Sequence, residues 1–166
     1  MDKHPEKYIE RLNELLLKKK ALLLDILALT QAQTGAITED RLDSLNELIN
    51  NKQLKIDETT KLDEEFGVYY SRLKSTLGIS HLDQLEAAKL EGGAFQGAKQ
   101  LRELTAGILD IIRNISEIEK TNSQKSNELL EQFGKEIKKI NQSKRANSAY
   151  KPGPVNAPSY FLDKKK

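Results

Sequence analysis

Between Pro5 and Pro152 the chain contains no proline. Proline removes a backbone donor and clashes with the preceding helical turn, so a stretch this free of it can form long unbroken helices. Leucine and isoleucine recur through the stretch at offsets of three and four, the spacing of one helical face. No alternating pattern competes. A chain of 166 residues and 18.8 kDa fits one elongated bundle with a tail better than two separate cores.

The periodicity predicts three helical segments. The first runs from about Pro5 to Thr30, with Pro5 in a first turn that does not need its missing N–H. Leu12, Leu15, Leu16, Leu22, Leu23, Ile26 and Leu29 form its apolar face, and Thr34-Gly35 is expected to end it. Thr38, followed by Glu39 and Asp40, reads as the N-cap of a second helix. That helix keeps a 3-4 repeat through Leu42, Leu45, Ile49, Lys52, Ile56, Thr59, Asp63, Phe66, Tyr70, Leu73 and Leu77, and Gly78 is its stop. Lys52, Thr59 and Asp63 are poor seam residues for a two-stranded coil and favour a broader bundle interface.

Ser80, with Asp83 three residues on, reads as the cap of a short piece reaching Leu90, and Glu91-Gly92-Gly93 as a break. The run GGAFQG at 92–97 follows no strand and lacks the GxGxxG spacing, so it reads as a flexible turn rather than a dinucleotide site. The last helix is expected over about Gln96–Asn141, with its stripe continuing from Leu101 to Ile140. Asn122 falls in phase with this stripe. Two readings stay open for it: a buried amide that fixes helix register, or an edge amide bonded to water. The expected fold is all-α, an elongated antiparallel three-helix bundle or coiled coil over 1–144, with a short linker helix and a flexible, disordered basic docking tail over 145–166.

Charge is divided along the chain. After Gly134, nine Lys and Arg face two acids, so the last 32 residues carry +7 while the preceding 134 carry −5. Such a tail could attract nucleic acid or simply aid solubility. Three prolines at 152, 154 and 158 forbid a regular helix there, and Tyr150, Tyr160 and Phe161 leave two readings open, a motif that docks on a partner or a segment that docks back on the chain's own bundle.

Enzymatic chemistry finds little support. The chain has no cysteine, which excludes disulfides, Cys-ligated zinc and thiol nucleophiles. Its two imidazoles, His4 and His81, are separated by most of two helices and form no metal-ligand pair. Asp63-Glu64-Glu65 reads as a solvated face, and no Glu-x-x-His pair marks a di-iron bundle. No cofactor and no catalytic residue are expected. Acids precede the first apolar stretch, so neither a signal peptide nor a transmembrane segment is expected and the cytoplasm is the default location. Long amphipathic faces without chemistry suit a protein that holds another helix in a groove, or one that self-associates.

The whole organisation resembles the FlgN family of flagellar export chaperones. A Leu-rich first helix leads to a long charged helix ending in FGVYYSRLKSTLGIS (66–80), then a Gly-rich interruption, then LRELTAGILDIIRNISEIEKTNSQKSNELLEQF (101–133). Asn122 and Asn127 stand where the family has Asn-containing heptads, and Tyr150-Lys151-Pro152-Gly153 where it has a Tyr-Gly-Pro-like segment. Lys151 and the terminal SYFLDKKK depart from that pattern.

The resemblance implies binding to the C-terminal helical ends of the hook–filament junction proteins FlgK and FlgL, and delivery to the export-gate component FlhA at the cytoplasmic face of the export apparatus. The implied client contacts are Ile112, Ile115, Ile118, Asn122, Leu129, Phe133 and Ile137. The implied gate contacts are Tyr150, Lys151, Pro152 and Gly153, with Tyr160 and Phe161 next. Two rivals are a self-associating structural or adaptor coiled coil and, below it, a helical protein that associates with nucleic acid through its basic end.

Overall fold

The computed structural model describes residues 4–88 and 90–147. Among them are three long helices: α1 (Pro5–Thr38), α2 (Leu42–Leu77) and α3 (Gly92–Asn147), with a short 3-10 helix over Leu82–Ala88 before the third. The chain is all-helical, as the proline-free repeats require, and the described residues contain no strand. Residues through Asn122 form one compact unit, and those from Ser123 belong to a second. The expected tail lies almost wholly outside the described residues.

Within the first unit, ion pairs and hydrogen bonds fix the helix directions. Lys19 meets Asp63 and Lys55 meets Asp25, so α2 runs antiparallel to α1. Asn13 bonds to Gly97 and Thr34 to Asn122, so α3 runs parallel to α1. Their shared core holds Ile9, Leu12, Leu16, Leu23 and Ile26 of α1, Leu73 of α2, Leu85, and the α3 stripe from Ala94 through Leu101 and Ile108 to Ile115. Burying such side chains contributes about 1.5–3 kcal/mol each, which exceeds what propensity alone gives a helix. The second helix adds a half-buried aromatic edge, where Phe66 and Tyr70 stack at 5.8 Å and Lys74 Nζ lies 4.6 Å from the Tyr70 ring centre.

Several boundaries differ from the sequence reading. Gly35 does not end α1, and Thr38 is its last residue rather than the N-cap of α2. Ala36 and Ile37, the next two residues, are buried, and their burial outweighs the cost of about 1 kcal/mol for a mid-helix glycine. The stop is Asp40, in the left-handed conformation at φ 59°, which lets the Arg41 N–H reach back to the Ala36 carbonyl at 2.8 Å. Helix α2 then begins at Leu42 with Arg41 in the cap position, and no side chain caps it. Gly78 ends it as expected, at φ 66° with its N–H bonded to the Lys74 carbonyl.

Before α3, the acceptor that tightens the short helix is Gln84, not Asp83: Gln84 Oε1 accepts from the backbone N–H groups of Ser80 and His81. The Gly-rich run is not a flexible turn but the opening of α3, which starts at Gly92 and continues to Asn147. Gly97 is there because α1 passes close by. A Cβ on it would stand 2.7 Å from Ile9 Cγ2, nearer than real contacts allow. The α2 seam keeps Lys52, Thr59, Phe66, Tyr70, Leu73 and Leu77, but half-buried Leu48 takes the place of Ile49, which is exposed.

By length and composition α1 is apolar enough to cross a membrane, since Asp25 is the lone charged residue between Lys20 and Thr38. Here the apolar stretch supplies core: Leu23, Ile26, Ala36 and Ile37 are buried in the bundle.

Candidate functional site

Polar side chains form a layer inside the first unit, at its Asn122 end. Asn122 Nδ2 donates to the Thr30 carbonyl at 3.1 Å, and Thr34 Oγ1 donates to Asn122 Oδ1 at 2.6 Å. Nearby, buried Lys52 donates to Gln33 Oε1 at 3.2 Å and pairs with Glu119. The buried reading of Asn122 therefore holds, and Lys52 is a partnered member of the seam rather than a defect in it. A satisfied buried amide admits one register, because slipping a helix by a turn would strand its donors and acceptors. At the other end, Arg11 bonds to Glu65 and Glu14, in that order of strength, and these carboxylates hold its guanidinium above its already high ordinary pKa. These groups orient helices.

The residues expected to touch a client fall into two sets. In the first unit, Ile115 (8% exposed) and Asn122 point into the bundle and already have intramolecular partners. Ile112 is 36% exposed. Ile118 is half-buried and lines a groove of about 460 Å³ with Gln31, Thr34, Glu117 and Thr121. Leu109, at 46% exposure three residues before Ile112, belongs with that outer edge, one position off the buried stripe of Leu104, Ile108 and Ile111.

In the second unit the described residues are one helical segment, 123–147. Leu129, Phe133 and Ile137 are half-buried along it, as is Leu130, and Ile140 is 53% exposed. These side chains recur at helical offsets and so share one face. Leu130 and Ile140 join the expected set on that ground. The expected gate residues Tyr150, Lys151, Pro152, Gly153, Tyr160 and Phe161 all lie outside the described residues.

His4 and His81 are both exposed. His4 faces Glu6 at 3.4 Å, and no group of three or more metal-ligating side chains is assembled among the described residues.

The family described as FlgN protein matches residues 1–154, nearly the whole chain. No curated protein matches. No solved structure matches either.

Proposed function

Since the chain belongs to the FlgN family and is therefore a flagellar export chaperone, we propose that it binds the C-terminal helical segments of FlgK-like and FlgL-like junction proteins. It then presents them to the export gate, FlhA, at the cytoplasmic face of the export apparatus. The observation that carries this reading is the apolar face of residues 129–140, on a segment whose own unit supplies no second described element to cover it.

An amphipathic helix buries its apolar face by meeting a matching surface, and an amphipathic client helix offers one. Leu129, Leu130, Phe133 and Ile137 are the central contacts. Ile112 and Leu109 form a secondary apolar edge on the first unit. Covering four such side chains contributes several kcal/mol before the cost of association, so the resulting affinity is modest. Affinity of that order masks the client from its assembly partners and still permits release.

The gate contact is assigned to Tyr150, framed by Lys151, Pro152 and Gly153, with Tyr160 and Phe161 as a second aromatic pair. This role needs neither catalysis nor a cofactor in the chain itself. Calorimetry with purified C-terminal peptides of the two clients tests the first assignment, and titration with the soluble part of FlhA tests the second. Tyr150→Ala should weaken the gate and leave the client untouched. Loss of client binding with gate binding intact would reverse the division of labour.

A further inference from the structure

We propose that the part of α2 before Phe66, residues 42–65, is a strap that detaches from the bundle without global unfolding, and that Lys52 is its latch. Among the described residues of this helix only Lys52 and Leu73 are buried. Leu73 belongs to the final stretch, where Phe66, Tyr69, Tyr70 and Leu77 also pack against the core. Upstream of it the apolar side chains are poorly covered. Leu45, Leu48 and Leu62 are half-buried, and Ile49, Leu54 and Ile56 are exposed. Burial of apolar surface sets how firmly a segment is held, so this is a weakly held part of the first unit.

Polar groups do the holding instead. Lys52 is 8% exposed; it donates to Gln33 Oε1 of α1 at 3.2 Å and pairs with Glu119 of α3. One ammonium thus ties the strap to both other helices. Two further pairs flank it, Lys55 with Asp25 at 3.4 Å and Lys19 with Asp63 at 2.7 Å. Asp25 and Asp63 are exposed, and open pairs of that kind contribute little. A buried ammonium is costly unless its acceptors are in place, so the strap stays closed while Gln33 and Glu119 receive it.

Both ends of the strap are built to give. Its first turn has no side-chain cap, and Asp40 just before it holds a left-handed conformation that strains any residue but glycine. At the far end stands Gly67. A Cβ there would meet nothing within 4 Å, so packing does not require the glycine, which weakens the helix where the strap joins the anchored stretch. Between them Thr59 and Thr60 turn their hydroxyls onto the Lys55 and Ile56 carbonyls, bonds that loosen a helix slightly. Most helical stability in a protein comes from packing, so the detached strap melts. Its departure uncovers Ile26, beside Asp25, and Ile115, one turn before Glu119, apolar surface that the closed bundle buries.

Hydrogen exchange of the full-length protein, read by mass spectrometry, tests this. Amides of residues 44–62 should exchange at least about tenfold faster than those of 101–115, because the strap opens more readily than the whole unit unfolds. Glu119→Ala strands the Lys52 ammonium and should speed the strap by about a further tenfold, with 101–115 unchanged. Lys52→Met with Gln33→Leu replaces the latch by apolar groups of similar size and should slow the strap below its native rate. Should Glu119→Ala fail to fold, Glu119→Gln must still speed the strap selectively. The proposal is overturned if strap and core exchange together in the native protein, if loss of the Glu119 carboxylate leaves the strap unchanged or speeds both stretches equally, or if the apolar pair does not slow it. No client enters this experiment, so its failure leaves the client assignment standing.

Discussion

Residues 94–115 and 129–140 of α3 carry the same three- and four-residue apolar spacing, and they meet different fates. In the earlier stretch Ala94, Ala98, Leu101, Leu104, Ile108, Ile111 and Ile115 are all buried in one core with α1. In the later stretch Leu129, Phe133 and Ile137 are half-buried and Ile140 is open. Periodicity states that a helix has an apolar face. It does not state what covers that face. The difference separates residues buried in the core from residues that are only partly covered, and substitutions on the two stretches should separate likewise.

The largest effect is expected in the core. Leu101 is fully buried, and Leu101→Ala should cost about 3 kcal/mol through lost burial and the cavity left behind, read as a marked fall in melting temperature. Gly97→Leu should cost roughly 1–3 kcal/mol or more, because its first side-chain carbon already meets Ile9. A melting curve like that of the native protein would mean α1 and α3 are not so closely packed. Asn122→Ala leaves Thr34 and the Thr30 carbonyl without their partner and should cost about 1–2 kcal/mol in chemical denaturation. Phe133→Ser should move stability by less than about 1 kcal/mol while weakening client binding, the reverse of the core pattern. The smallest shift belongs to Asp40→Gly, which relieves the left-handed strain and should raise stability by up to about 1 kcal/mol.

Much of this was legible in the chain. Missing proline and the apolar repeats specify the three helices, and Gly78 acts as the stop its position suggests. Local signals failed where tertiary burial overruled them. Thr34-Gly35 looks like a terminus, yet Ala36 and Ile37 enter the core and Thr34 bonds to Asn122, so the helix continues. The run GGAFQG looks mobile because glycine favours turns, whereas Gly97 serves as a close-contact point between two helices. Lys52 looks like a flaw in the seam until Gln33 and Glu119, 19 and 67 residues away, are seen to receive its ammonium. Such pairings depend on register between helices, which no local window contains. The same limit applies to the candidate client face: Ile115 and Phe133 are alike in sequence pattern, and burial alone distinguishes them.

The most direct test is calorimetry of the full-length chain with a C-terminal FlgK helix, comparing the native protein with the combined Leu129→Ser, Phe133→Ser and Ile137→Ser variant. Covered apolar side chains contribute about 1.5–3 kcal/mol each, so affinity should fall by well over about tenfold while the melting curve of the bundle stays in place. Unchanged affinity in the folded variant would contradict the assignment of the client to this face.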